Sequence, residues 1–212
     1  MKTLILAISL FCSLLHAKEG AVECGNLIYA GTKTSKCFSD EFLSTVQQKT
    51  SIATERRFKS VKLASDELFK IPFVIMTGEG DFTLSSTERD HMKRYLENGG
   101  FLVASPSCSN REWGIAFERE IKRLFGHDSL KDIAMDHEIF RTVFTITDLK
   151  LAKSSGEARL RGIYRDGKIV VVYSSDGLNN SSNAEGCCCC GGNEIQNAKE
   201  VNANILAYAL LH

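Results

Sequence analysis

Short all-apolar runs alternate with amphipathic stretches along most of the chain. Residues 26–30 (NLIYA), 72–77 (PFVIMT), 101–105 (FLVAS) and 169–173 (IVVVY) are the strongest runs, with weaker ones at 61–63 and 143–146. They show no polar alternation, which is the pattern of strands buried on both faces of a parallel sheet. Between them lie helical periodicities. Phe42, Leu43 and Val46 follow Ser39-Asp40, either of which fits an N-cap. Ser85 and Glu88 form a capping-box pattern ahead of Met92, Tyr95 and Leu96, and Asn98-Gly99-Gly100 supplies a left-handed stop. Trp113, Phe117, Ile121, Leu124 and Phe125 share one face up to Gly126. Asn197 and Glu200 repeat the capping pattern before Val201, Ile205, Leu206 and Ala209. Residues 162–173 read as a hairpin turning at Asp166-Gly167. The alternation predicts an α/β fold: three layers, a mostly parallel sheet with helices on both faces, flavodoxin-like or class I glutamine amidotransferase-like, with the hairpin appended.

The first residues follow a different pattern. Lys2, an apolar run from Leu4 to Leu15 and a small Ala17 make a secretory signal peptide over residues 1–17, leaving 18–212 as one α/β domain. The run falls short of the about 20 apolar residues that a membrane span needs, so no span is expected after cleavage. The bulky Phe11 ahead of Cys12 argues against lipoprotein processing, and Cys12 leaves with the leader. Secretion places the domain in an oxidising space, the periplasm or the medium.

That compartment changes how the cysteines are read. There are eight, an unusual number, and four are consecutive: Cys187, Cys188, Cys189 and Cys190. In open α/β sheets ligands bind beyond the carboxyl ends of the strands. The strand order along the chain assigns four loops to that edge, and three carry sulfur: residues 31–37 with Cys37, 106–110 with Cys108, and 174–192 with the run of four. Thiolates suit soft metals, so Cys187, Cys188, Cys189, Cys190, Cys108 and Cys37 are candidate ligands for Cu, Zn or an Fe–S cluster. The consecutive run lacks the two-to-four-residue spacing of regular zinc sites, and a disulfide cluster stapling the loop is the competing reading. Cys24 and Cys37 flank the first strand and are expected to close a loop as a disulfide.

Cys108 also follows a strand, as the nucleophile of a hydrolase does. His137, in residues 135–140 (MDHEIF), is the candidate base, with Asp136 or Glu138 beside it. The sharp nucleophile-elbow pattern is missing around Cys108. Glu79 and Asp81, in a Gly-Glu-Gly-Asp turn, are candidate ligand-orienting carboxylates, although turn chemistry alone explains such residues.

Charge narrows the partners. Lys+Arg and Asp+Glu both number 26, so no bulk charge draws the chain to nucleic acid. Neither phosphate-binding glycine motif occurs.

Residues 27–32, 73–80, 95–102 and 135–140, followed by the cysteine-rich loop before the last helix, form an ordered string that resembles the bacterial domain of unknown function 4159 family across about residues 22–212. The resemblance implies a class I glutamine amidotransferase-like fold and an envelope role. It implies a Cys–His–Glu machinery only where residues match, and here neither an elbow around Cys108 nor a C-terminal His-x-Glu is present. The expectation is therefore a secreted or periplasmic binding module whose cysteine-rich rim either holds a soft metal or is a disulfide-locked recognition surface for a ligand or envelope protein. A cysteine hydrolase using Cys108 and His137, and a non-catalytic envelope interaction domain, are the alternatives.

Overall fold

The computed structural model describes residues 20–187 and 192–212. The expected leader, residues 1–17, and Cys188, Cys189 and Cys190 lie outside the described residues. Among the described residues seven strands form one sheet: β1 (Cys24–Ile28), β2 (Lys59–Lys62), β3 (Phe73–Met76), β4 (Phe101–Ala104), β5 (Lys131–Asp132), β6 (Arg161–Arg165) and β7 (Lys168–Tyr173). Their order across the sheet is β2-β1-β3-β4-β7-β6-β5. The first five in that order run parallel. The last two continue the sheet antiparallel.

The helices are α1 (Glu41–Lys49), α2 (Ser86–Glu97), α3 (Arg111–Phe125) and α4 (Ala198–Leu211). Phe73 and Ile75 of β3 pack with residues of α1 and α4, while Val74 and Met76 pack with those of α2 and α3. All four side chains are buried. A strand covered on both faces needs apolar residues at every position, which is why the sequence shows runs rather than alternation.

Local chemistry sets the boundaries. Ser85 Oγ accepts from the Glu88 N–H and the Glu88 carboxylate accepts from the Ser85 N–H, completing the capping box of α2. The β6–β7 hairpin turns at Asp166 and Gly167, both at positive φ, the conformation that two-residue turn demands. Elsewhere a tertiary partner overrides the local signal. Asn197 does not cap α4; its Nδ2 donates to the Asp148 carbonyl instead. Residues 143–146 form no strand, because the side chain of Asn204 serves their backbone: Oδ1 accepts from Val143 and Phe144, and Nδ2 donates back to Phe144. Among the described residues no helix is long and apolar enough to cross a membrane.

Candidate functional site at the carboxyl edge

Because β1, β3, β4 and β7 run parallel, the loops that follow them emerge at one end of the sheet. The chain leaves β1 outward for β2 and then returns past β1 to β3. That reversal opens a crevice between the ends of β1 and β3, where open α/β sheets place their ligands.

In this protein the loop after β1 crosses the crevice. Tyr29 and Lys33 exchange backbone hydrogen bonds around a turn at Ala30 and Gly31, whose φ values are 45° and 84°. Beyond the turn Lys33 Nζ donates to the Glu79 carbonyl, past the end of β3. Ser35 is held from below by Asn26 Nδ2, which donates to its carbonyl at 2.8 Å, and from the side by Ser107 Oγ, which donates to its hydroxyl at 2.7 Å. Cys37 then bonds to Cys187 across a sequence separation of 150 residues, with Cα atoms 4.8 Å apart. A cavity of about 210 Å³ lies beside this crossing, with Lys36, Arg57, Asp40 and Glu185 around a floor of Phe38 and Phe58. Arg57 reaches both Asp40 and Glu185.

Polar side chains are buried under the crossing. Asn179 Nδ2 donates to Thr77 Oγ1 at 2.9 Å, the Thr77 and Ser107 hydroxyls share a hydrogen bond of 3.1 Å, and Ser107 continues the chain to Ser35. Thr77, Ser107 and Asn179 are fully buried. Among the described residues Asn179 Oδ1 has no hydrogen-bond partner, a costly state for a buried acceptor. Tyr29 Oη donates to the Thr77 carbonyl and accepts from Trp113 Nε1. Gly78 permits this approach, since a Cβ there would lie 2.3 Å from Tyr29 Oη.

The turn after β4 is strained. Cys108 and Ser109 both sit at φ 52°, a left-handed conformation uncommon outside glycine. Asn110 stabilises the turn's exit, its Oδ1 accepting from Trp113 N at the start of α3 and from Gly80 N. Gly192 lies against the turn so closely that a Cβ would fall 2.4 Å from the Cys108 carbonyl carbon. Asp176, on the loop after β7, is half-buried, and no hydrogen bond or ion pair reaches its carboxylate from the described residues. Desolvation raises its pKa.

The structure sorts the residues singled out from the sequence. Cys37, Cys108 and Cys187 do lie at one end of the sheet. Cys37 and Cys187 are bonded to each other, and Cys108 is also disulfide-bonded, so none of the three is available as a thiolate ligand in this state. Among the described residues no group of three or more His, Cys, Asp or Glu side chains is placed to hold a metal ion. The expected Cys24–Cys37 bond is not formed. Cys24 opens β1 and Cys37 lies in the loop beyond its other end, so the strand holds them apart; Cys24 is a free thiol, buried, its pKa pushed up to about 12 by desolvation.

Cys108 and His137 are not brought together. His137 packs against Tyr208, whose hydroxyl accepts from the backbone of Ile169 at the amino end of β7, the pole opposite Cys108. Its Nδ1 accepts from Ile139 N as a helix cap. Asp81 pairs with Arg119 at 2.9 Å, and Glu79 is exposed, its carbonyl serving Lys33. Sequence reasoning missed Ser35, Thr77, Ser107, Asn179 and Asp176. The small polar residues closing three apolar runs, Thr77, Ser105 and Ser174, were the available signal, since a strand's carboxyl end is where polarity returns.

A family model described as a domain of unknown function (DUF4159) matches residues 27–210. No curated protein matches the chain.

Proposed function

We propose, for a chain that belongs to the domain of unknown function 4159 family, that it is a disulfide-locked binding module of the bacterial periplasm or the extracellular medium. The observation that carries this reading is the Cys37–Cys187 bond. Such bonds persist in oxidising compartments and are rare where thiols are kept reduced. This one ties together the two walls of the rim cavity: Lys36 precedes one bonded cysteine, and Glu185 stands near the other. A cavity whose walls are already fixed loses less freedom when it captures a ligand. Its mixed charges over an aromatic floor suit a small polar ligand or a side chain of an envelope protein.

The finer fold belongs to the same proposal. The order β2-β1-β3-β4-β7 matches the doubly wound order of flavodoxin-like sheets. Relationship to class I glutamine amidotransferases is supported by the three layers and the strained turn at Cys108. The activity is not carried over, because Cys108 is disulfide-bonded and His137 stands at the far pole. Residues 1–17 act as the leader in this reading.

Expression of the full chain in a bacterial host tests it. Cys37 and Cys187 are expected in one non-reduced peptide of protein recovered from the periplasm, with metal well below one equivalent. Cytosolic recovery with both cysteines open to alkylation overturns the reading. So does one equivalent of zinc or copper held by them, or ester hydrolysis abolished by Cys108→Ala.

A further inference from the structure

The loop after β1 does more than border the rim. Residues 33–37 lie across the crevice between β1 and β3, the place where this sheet topology puts a ligand; Lys33 reaches the Glu79 carbonyl, and Ser35 meets Ser107, from which hydrogen bonds run on through Thr77 to Asn179. Thr77, Ser107 and Asn179 form a buried polar cluster that a core does not need, and Asn179 Oδ1 inside it has no donor among the described residues.

The crossing is built to hinge. Tyr29 and Phe38 are both buried and anchor its two ends. Between them Gly31, Thr32, Thr34 and Lys36 are exposed, and Ala30 and Gly31 form the tight turn at positive φ. Its hydrogen bonds to Asn26, Ser107 and Glu79 are individually weak, because each replaces a bond to water. Its covalent tie among the described residues is the disulfide to Cys187, whose partly exposed residue gives a reductant access while Cys37 is buried.

We propose that residues 33–37 are a strap closing the switch-point crevice and that the Cys37–Cys187 disulfide is its redox-operated latch. The inference rests on the reading of the carboxyl rim as a recognition surface and names how that surface is regulated. A dithiol reductant supplies the electrons. One of its thiolates attacks the Cys187 sulfur, breaking the protein disulfide and releasing Cys37 as a thiolate that takes up a proton. Its second thiol then attacks the mixed disulfide, leaving Cys187 as a thiol and the reductant as a cyclic disulfide. The strap swings about the Ala30–Gly31 turn. The opened crevice offers two hydroxyls and an unfilled amide oxygen, groups that suit an uncharged ligand bearing N–H or O–H donors.

Hydrogen exchange of the full chain, oxidised and then reduced with dithiothreitol, tests this. Amides of residues 33–37 are expected to exchange at least tenfold faster after reduction, and oxidised glutathione is expected to restore them. Amides of β1, β3 and β4 keep their protection. The variant Cys187→Ser should show the fast strap without reductant. Unchanged exchange in the reduced strap overturns the proposal, because hydrogen bonds alone then hold it. Loss of protection across β1, β3 and β4 also overturns it, because the bond is then a staple of the whole fold. Neither result bears on compartment or metal content, which test the binding-module reading separately.

Discussion

Asp176 combines a position at the carboxyl edge of β7 with an environment that opposes its charge. Half-buried and unpaired among the described residues, its carboxylate is penalised by desolvation, and its pKa rises accordingly. Above the ordinary carboxylate range the folded state therefore holds a charge the unfolded chain carries more easily. Asp176→Asn keeps the shape and removes the charge, and it is expected to raise the unfolding temperature at pH 7 by roughly 1–4 °C in differential scanning calorimetry. An unchanged or lower midpoint would mean that the carboxylate has a stabilising partner. Nothing in the residue pattern singles out Asp176, since an aspartate in a Ser-Ser-Asp-Gly stretch reads as turn chemistry. Only the approach of neighbouring loops makes it a desolvated acid.

Among the elements, those defined by contacts close in sequence were legible in advance. The capping box of α2, the β6–β7 turn and the apolar faces of α1 and α3 each depend on residues a few positions apart. Elements decided by distant partners were not. Residues 143–146 carry β-branched and aromatic side chains, yet Asn204, far along the chain on α4, takes their backbone groups. Asn204 is itself buried, so Asn204→Ala strands two N–H donors and a carbonyl. A loss of about 2–4 kcal/mol in urea unfolding at unchanged m-value is expected. A loss under 1 kcal/mol would show that the segment finds water or another acceptor. The short β5 escaped notice for a related reason: its exposed Lys131 and Asp132 are extended only because β6 pairs with them.

Across the whole molecule, strand direction was the informative quantity. It gathered Cys37, Cys108 and Cys187 at one end from sequence alone, while the pairing of sulfurs depended on distances that no spacing encodes. The opposite pole carries its own pH dependence. Burial chiefly lowers the His137 pKa, His212 adds to this, and Glu138 and Asp136 oppose it. The unfolded chain then binds more protons at this site than the folded one, so stability is full above about pH 6.5 and falls as the solution is acidified. His137→Asn retains a side-chain acceptor for the Ile139 N–H and cannot titrate in this range. Its stability between pH 7 and 5 should decline less steeply than that of the parent, and equal slopes would assign the acid sensitivity elsewhere. The 150-residue interval between the bonded cysteines has a consequence for biosynthesis. The chain emerges amino end first, so Cys37 must wait unbonded to its mate through the appearance of four parallel strands before Cys187 arrives. During that wait the nearest rival sulfur is Cys24, and assembly of β1 into the sheet seals that thiol in protonated form. The early half of the fold thereby guards the late bond against a wrong partner.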